Sequence, residues 1–338
     1  MSHIQLNVSY QDITSLENLL GAWKEFLVGK KARKDVQDFE RNLMDNVISL
    51  HNDLGDKTYY HSAYESFNIS DPKPRHIHKA TVRDRLLHHA LYRNLYPLFE
   101  RTFIADSYSC QIKKGTHRAM DRFRSCADKV SLNHTRTAWV LKCDIRKFFA
   151  SIDRAILLGI LQKHISDKDV SCLLSQIVGS FFSTKSGLGL PLGNLTSQLL
   201  VNVYMNELDQ RIKHTFKAEY YIRYADDFVI MSHDKDWLEE LLPRIAEFLS
   251  EALHLELHPD KVSLRSLASG IDFLGWIHFS DHRVLRTAAK RRMFRGLSAR
   301  GDDPQTVQAY RGLILHGNTK KIERGINDIL RVKNGAIQ

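Results

Sequence analysis

The sequence predicts an α+β fold, in which an antiparallel sheet carries acidic side chains and helices make up most of the remaining chain. Two strand-like runs, residues 139–149 and 220–231, are rich in β-branched and aromatic residues, and each contains aspartate. Elsewhere, apolar residues recur at spacings of three and four, which indicates amphipathic helices. Residues 284–338 combine this helical spacing with an excess of basic side chains.

The second run places two adjacent acids, Asp226 and Asp227, among apolar residues. Burying carboxylates is costly unless positive charge lies against them. A turn at residues 225–227 would put both acids at the tip of a hairpin. Because successive side chains on a strand point to opposite faces, the two acids are not equivalent. This run alone is equally consistent with an ordinary acidic turn.

The first run carries one acid, Asp144, at the end of its apolar part. If the two runs lie side by side in one antiparallel sheet, Asp144 and Asp226 converge. Convergent carboxylates are hard oxygen ligands suited to Mg²⁺. Two such ions about 3.5–4 Å apart serve in-line phosphoryl transfer. Taken together, the two runs favour a two-metal site over an acidic turn.

The composition, 43% hydrophobic and 26% charged, is typical of a globular protein with two or three subdomains. The sequence has no apolar run of about 18 residues, and residues 1–5 do not resemble a signal peptide, so neither a membrane span nor secretion is expected. Four cysteines without CxxC spacing indicate reduced thiols in the cytoplasm. The net charge of +10 indicates an anionic partner, which is a nucleic acid or an acidic protein.

The positive charge is concentrated at one end of the chain. Residues 284–338 hold 12 Lys and Arg against 4 Asp and Glu, a net of +8, whereas the other residues hold 37 against 35. Because this segment also has helical apolar spacing, we expect a folded basic helical domain rather than a solvated tail. Residues 301–304 should break it, and residues 71–74 should form a rigid proline loop. The other predicted helices cover residues 35–54, 82–95, 154–182, 196–216 and 236–253, and a hairpin is expected over 270–285.

Together the acidic runs resemble the catalytic strands of reverse transcriptases, with Tyr-Ala-Asp-Asp between apolar strands and an upstream aspartate followed by two phenylalanines. The resemblance covers about residues 70–320, including motifs at 75–85, 106–109, 189–198, 258–261 and 270–275. It implies an RNA-directed DNA polymerase shaped like a right hand. The implied parts are an N-terminal helical extension (1–60), fingers (61–135), a palm (136–283, with 155–190 a helical segment packing toward the fingers) and a basic helical thumb (284–338).

The same resemblance implies the metal ligands. Asp144 and Asp226 would ligate two Mg²⁺ ions, for which Mn²⁺ can substitute. The Ile145 carbonyl and Asp227 would support them. Lys261 matches a family lysine near the pyrophosphate, where an ammonium group can donate a proton to the leaving group. A surface lysine in a turn is the alternative for Lys261.

Basic residues on a predicted strand and helix are candidates for the nucleotide triphosphate, because Arg and Lys bind phosphate. A solvated basic strand is the alternative. The resemblance assigns Lys79 and Arg83 to the triphosphate, with Arg75 as a further contact and Gln198 also at the nucleotide. Phe149 would lie under the sugar, where its ring excludes a 2′-hydroxyl and so selects deoxynucleotides; otherwise it belongs to the core.

A departure from the common family pattern points to a subgroup. Most reverse transcriptases have Gln before the loop glycine and Pro after the serine, but here these are Leu192 and Gln198. This resembles the reverse transcriptases of diversity-generating retroelements, which are bacterial or phage-encoded and copy template RNA with errors at adenines. They work with a small basic accessory protein that forms a ring. Leu192 and Gly193 would lie against the nascent base pair and affect fidelity.

Further basic residues should follow phosphate backbones of template RNA and DNA. They are Lys113, Lys114, Arg118, Arg291, Arg292 and Arg295.

Three other functions remain as alternatives. The first is a group II intron, retron or defence-associated reverse transcriptase, against which Leu192 and Gln198 argue. The second is a silent nucleic-acid scaffold, which has no need for clustered acids that repel phosphate. The third is an RNA-directed RNA polymerase, against which Phe149 argues.

Overall fold

The computed structural model describes residues 7–70, 74–183, 185–300 and 303–335. Residues 1–5, most of the predicted proline loop and part of the predicted break at 301–304 lie outside the described residues. The chain folds into two compact units. The first comprises Met1–Gln111, Ile145–Lys217 and Ile245–His258, and the second comprises Ile112–Asp144, Ala218–Arg244 and Pro259–Gln338.

Helices account for most of the regular structure. In the described ranges they are α1 (Tyr10–Thr14), α2 (Leu16–Phe26), α3 (Lys34–Arg41), α4 (Leu43–Gly55), α5 (Val82–Glu100), α6 (Thr116–Val130), α7 (Phe148–Ser151), α8 (Arg154–His164), α9 (Lys168–Gly179), α10 (Leu195–Gln210), α11 (Lys235–Leu253), α12 (Thr287–Arg300), α13 (Pro304–Ile314) and α14 (Lys320–Gly335), with a π-helical turn at Arg211–Thr215 and a 3₁₀ turn at Leu267–Ser269.

The strands form three antiparallel sheets. They are β1 (Glu65–Ile69), β2 (Arg75–Lys79), β3 (Trp139–Asp144), β4 (Tyr220–Tyr224), β5 (Asp227–Ser232), β6 (Ser263–Ser266), β7 (Ile271–Phe273), β8 (Trp276–His278) and β9 (Arg283–Leu285).

In the first unit, helices surround α5 and the β1–β2 ribbon stands as a separate two-stranded sheet. The buried faces of α2 and α5 pack together, with Trp23 and Phe26 among the α2 residues that are withdrawn from solvent. The side chain of Asn18 joins the two helices, since it donates to the Ala90 carbonyl and accepts from Arg93. These contacts hold α2 against α5.

Three predicted helices differ in their boundaries. The 35–54 helix is two helices, because Asn42 leaves the helical region at φ −120°, ψ 41°. The 154–182 helix is also two, because Ile165 is extended and Asp167 caps α9 with its carboxylate. The helix predicted over 82–95 is longer in the structure. Pro97 removes one helical hydrogen bond, yet α5 continues through it to Glu100, and Phe99 beyond the proline is buried.

In the second unit, the central sheet has the strand order β4-β5-β3-β6. Strands β3 and β5 are antiparallel neighbours, so the two acidic runs do lie side by side, as predicted. Their middle residues, such as Leu141, Cys143 and Val229, are fully buried. Helix α6 packs on β4 and β5. The sheet core therefore holds the strand ends that carry the aspartates.

The region predicted as a hairpin at 270–285 is a three-stranded sheet in the order β7-β8-β9. Leu274 and Gly275 connect β7 to β8, both with positive φ, as a two-residue hairpin turn requires. After β9 the basic segment is helical and folded, as expected. Its core cluster comprises Met120, Trp276, Leu285, Met293, Leu297, Ile314, Ile322 and Ile326.

The described residues thus form a mixed fold of helices and antiparallel sheets, which fits the α+β prediction. The division into fingers, palm and thumb stays a prediction. All four cysteines are free thiols. Among the described helices, none is both long enough and apolar enough to cross a bilayer.

Candidate active site

A tight β-hairpin presents the two adjacent acids. Strand β4 ends at Tyr224, β5 begins at Asp227, and these two residues are register partners. Only Ala225 and Asp226 lie between the strands, so the turn is one residue shorter than the predicted 225–227 and Asp227 already belongs to β5. Ala225 has φ +57°, which an L-residue adopts at a cost and which a two-residue hairpin turn often needs.

Asp144 lies directly opposite Asp227, at the end of β3. The sheet register therefore brings the upstream acid to the hairpin that carries Asp226 and Asp227. The pairing through Asp227 rather than Asp226 follows from the turn, because Asp226 lies in the loop and takes no part in the ladder. Ile145, the predicted carbonyl ligand, follows Asp144 in the chain and is buried.

Two lysines lie against these carboxylates. Lys261 Nζ donates to Asp144 Oδ1 at 2.8 Å, so the predicted catalytic lysine lies beside the acid. Lys142 Nζ lies 3.7 Å from Asp227 Oδ2 and donates to the Asp272 carbonyl at 2.5 Å. Lys142 was not identified from the sequence. Its position two residues before Asp144 on the same strand face was the available signal.

Asp227 has an unusual electrostatic environment. Burial, followed by repulsion from Asp144 and Asp226, raises the pKa of Asp227 to about 7, although Lys142 opposes this rise. Its Oδ1 is buried and has no hydrogen-bond partner in the described part of the chain. A buried oxygen with no partner and a raised pKa mark a carboxylate that would gain from a bound cation.

The three aspartates fit divalent metal ions. Carboxylates are the hard oxygen donors that Mg²⁺ prefers, and Asp227 Oδ1 is buried without a hydrogen-bond partner among the described residues. Among the described residues, no three His, Cys, Asp or Glu side chains form a set that would hold a metal by themselves. This is compatible with Mg²⁺, which keeps waters and substrate phosphates among its ligands.

Phe149 lies on the short helix α7 in the first unit. Its neighbour Phe148 is buried, whereas Phe149 is partly exposed, so a place in the core fits Phe148 better. The Phe149 carbonyl accepts from Leu190 N at 2.8 Å. Gly189 precedes Leu190 with φ +83°, and a Cβ there would lie 3.3 Å from the Ala150 carbonyl. The backbone at Phe149 and Ala150 therefore packs directly against the backbone at Gly189 and Leu190.

The loop with Leu192 and Gly193 is attached to the edge of β2. His78 N donates to the Leu192 carbonyl at 3.0 Å, and Asn194 Nδ2 donates to the His78 carbonyl at 3.0 Å. Gly193 has φ +113°, and a Cβ there would lie 3.0 Å from Ile77 Cγ2. The positive φ and the close approach to Ile77 both favour glycine at position 193. Gln198 follows in the first turn of α10 and is half-buried.

The predicted triphosphate ligands of the first unit have acidic partners. Lys79 Nζ lies 2.9 Å from Asp35 and 3.2 Å from Glu65. Arg83 pairs with Asp53. By contrast, Arg75 is exposed at the start of β2, and no ion pair of Arg75 occurs within the described ranges.

The predicted nucleic-acid contacts lie on exposed surfaces of the second unit. Arg291, Arg292 and Arg295 project from α12 on the side away from the buried Met293 and Leu297. Lys113 and Arg118 are exposed at the start of α6, and Lys114 is half-buried. The structure thus groups Asp144, Asp226, Asp227 and Lys261 in the second unit, and Phe149, Leu192 and Gly193 in the first.

Comparison with known proteins finds similarity to one family, the reverse transcriptases. The family model described as "Reverse transcriptase (RNA-dependent DNA polymerase)" matches residues 70–278. The chain is 25% identical to Protein YkfC of Escherichia coli K12 over 260 residues, covering 65% of this chain and 66% of that protein. It is 23% identical to the group II intron-encoded protein LtrA of Lactococcus lactis subsp. cremoris over 312 residues, covering 71% and 50%.

A third relative is the putative COX1/OXI3 intron 2 protein of Saccharomyces cerevisiae, 23% identical over 251 residues. The match covers 56% of this chain and 28% of that protein. The chain therefore spans less than two thirds of the length of each of these relatives.

Proposed function

Because the chain belongs to the reverse transcriptase family, we propose that it is an RNA-directed DNA polymerase that extends a primer on an RNA template. The observation that carries this proposal is the register of Asp144 opposite Asp227, beside the turn that holds Asp226. Such an acidic group next to basic surfaces suits phosphoryl transfer better than simple binding. A scaffold that only bound nucleic acid would gain nothing from carboxylates that repel phosphate.

In this mechanism the primer 3′-hydroxyl gives its proton to solvent water and its oxygen bonds to the α-phosphorus of a deoxynucleoside triphosphate, while the bond from that phosphorus to pyrophosphate breaks. Asp144 and Asp226 would hold two Mg²⁺ ions, supported by Asp227 and the Ile145 carbonyl. When bound, the metal would lower the pKa of the attacking hydroxyl and neutralise phosphate charge. The Lys261 ammonium, now on Asp144 Oδ1, would donate a proton to the departing pyrophosphate oxygen.

The residues proposed to contact the nucleotide belong to the first unit. Arg75, Lys79 and Arg83 would bind the triphosphate, and Gln198 would contact the same nucleotide. Because Lys79 and Arg83 already pair with Asp35, Glu65 and Asp53, phosphate oxygens would replace these carboxylates. The partly exposed Phe149 ring would exclude a 2′-hydroxyl.

The test of the polymerase is primer extension on an RNA template with Mg²⁺ and deoxynucleotides. Asp226→Asn keeps the shape of the side chain and removes its charge, so extension should fall by at least about 10³-fold, or roughly 4 kcal/mol. Template binding should remain within about threefold. The matched control Asp236→Asn alters an exposed acid of the same unit and should retain full extension. Extension by Asp226→Asn within about tenfold of wild type would refute the assignment.

A more specific proposal concerns the biological role. We propose that the protein makes adenine-mutagenic cDNA in a diversity-generating retroelement and works there with a small basic ring-forming accessory protein. Leu192 supports this, because an apolar side chain beside the nascent pair tolerates poor geometry that a hydrogen-bonding Gln would penalise. A group II intron-type role is the second candidate, favoured by the similarity to LtrA.

Sequencing of cDNA distinguishes the two roles. Wild type should misincorporate more often opposite template adenines than opposite other bases, and Leu192→Gln should reduce this excess. Leu192→Ile keeps an apolar side chain and should retain it. Equal error rates at all four bases in the wild type would favour the group II intron-type role.

A further inference from the structure

The turn that carries Asp226 uses an unfavourable residue at its first position. Ala225 has φ +57°, while Asp226 does not have a positive φ. Two-residue hairpin loops with this pattern prefer glycine first, because an L side chain in the left-handed region is strained. An alanine here needs support from the surrounding structure to keep this conformation.

Arg223, two residues before Ala225, is placed to give that support. It lies in the β4 arm of the hairpin opposite Phe228, and it is fully buried, with 0% exposure. Its Nη1 donates to the Ala225 carbonyl at 3.1 Å. Burial of a guanidinium group is expensive unless its donors are used, so this bond is held in a defined geometry.

We propose that Arg223 is a positioning residue, which holds Ala225 in the left-handed conformation and thereby fixes the direction of the Asp226 and Asp227 side chains. It touches neither substrate nor metal in this role, and it acts through the backbone of the turn. The effect of Arg223 on catalysis rests on the proposed polymerase function. Its effect on the turn does not, since that effect concerns only the φ angle of Ala225.

Glycine at 225 provides the decisive comparison, because glycine adopts positive φ without strain. Arg223→Met should lower kcat by at least about tenfold, with KM for the nucleotide within threefold, since the turn relaxes and misdirects the acids. Adding Ala225→Gly should restore kcat to within about threefold of Ala225→Gly alone. Lys217→Gly is the matched control, because Lys217 also has positive φ (+56°) and is exposed, and it should not restore Arg223→Met.

A second measurement reports the turn without requiring activity. In protein with ¹³C-labelled alanine, the Cα and Cβ shifts of Ala225 report its backbone conformation. Wild type should show the left-handed values, Arg223→Met should abolish them, and Lys217→Gly should keep them. If Arg223→Met does not fold, Arg223→Lys is measured in the same way, since its single ammonium cannot reproduce the guanidinium geometry.

Two outcomes would overturn the proposal. One is a folded Arg223 variant whose Ala225 shifts are unchanged. The other is a double variant in which the reductions in kcat from Arg223→Met and Ala225→Gly simply multiply. If wild type shows the left-handed shifts and responds to Arg223→Met, but extends no primer, the polymerase function fails and the role of Arg223 in the turn stands.

Discussion

Lys142 offers a sharp test of the site electrostatics, because its ammonium contacts both Asp227 and the Asp272 carbonyl. Lys142→Met keeps the length of the side chain and removes its charge. At 3.7 Å, an effective dielectric constant of 20 gives an attraction of about 4.5 kcal/mol to the ionised form of Asp227. Since the pKa of Asp227 is raised to about 7, the measurement is made above that pH, where the ionised form predominates. The side chains of Lys142 and Asp227 are 17% and 22% exposed, so solvent screens part of this attraction.

Desolvation of the two charges offsets a further part, while the bond to Asp272 adds roughly 1.5–3 kcal/mol. We therefore expect Lys142→Met to lower the free energy of unfolding by about 2–3 kcal/mol. We also expect kcat to fall about 10²-fold, since a displacement near 1 Å of a catalytic group has an effect of this size.

The assay is urea denaturation followed by tryptophan fluorescence, combined with primer extension. The matched control is Lys235→Met, which removes an exposed ammonium of the same unit that lies 2.6 Å from Glu239. Its denaturation midpoint should lie close to that of wild type, because the exposed ion pair and the contact of the Lys235 ammonium with the Trp139 ring, 5.4 Å away, each contribute little. Equal midpoints for Lys142→Met and wild type, or equal destabilisation in both lysine variants, would refute the argument from burial.

Three further predictions concern the sugar, the basic helix and the response to acid. Phe149→Val should raise incorporation of ribonucleotides relative to deoxynucleotides by at least tenfold, whereas Phe148→Leu should not; an unchanged ratio would place the sugar gate elsewhere. Changing Arg291, Arg292 and Arg295 to Ala should flatten log Kd against log[salt] for template-primer by up to about 0.9 for each phosphate that is no longer neutralised, and an unchanged slope would assign α12 to a protein partner. Burial, with a smaller effect of Arg283, lowers the pKa of His278 from 6.5 to about 4. As the pH falls, His278 is therefore protonated first in the unfolded chain. The contribution of His278 to the free energy of unfolding is fully present above pH 6.5 and is lost as the pH falls toward 4. Unfolding free energies at pH 7.5 and 5 should therefore differ less in His278→Gln than in wild type, by up to about 2 kcal/mol, while the exposed-histidine variant His233→Gln should keep the wild-type difference.

The strands of the central sheet were predictable from the sequence, because runs of Val, Ile, Phe and Tyr favour strands and a turn was expected at residues 225–227. The pairing of Asp144 with Asp227 needed the register, which depends on turn length and cannot be read from either run alone. Sequence reasoning also missed the breaks at Asn42 and Ile165, where one residue outside the helical region divides a continuous apolar stripe.

The contacts of the charged residues were less predictable than the elements that carry them. Lys142 contacts Asp227 only because β3 and β5 are neighbours. It also donates to the carbonyl of Asp272, which lies on β7 in a separate sheet. The acidic partners of Lys79 and Arg83 come from α3, α4 and β1, at separations along the chain of 14 to 44 residues. Local sequence patterns do not specify pairings at such separations.

In the loop at residues 192–194, which is hydrogen-bonded to β2, the path of the main chain does not depend on the side chain at position 192. Leu192 is held through its carbonyl, Asn194 through its amide, and Gly193 by close contact with Ile77. None of these restraints uses the side chain of Leu192. Replacing that side chain should therefore change the surface offered by residue 192 while the loop keeps its course. Under the fidelity role proposed for Leu192, one substitution there would alter copying accuracy while the main chain of the loop stays in place.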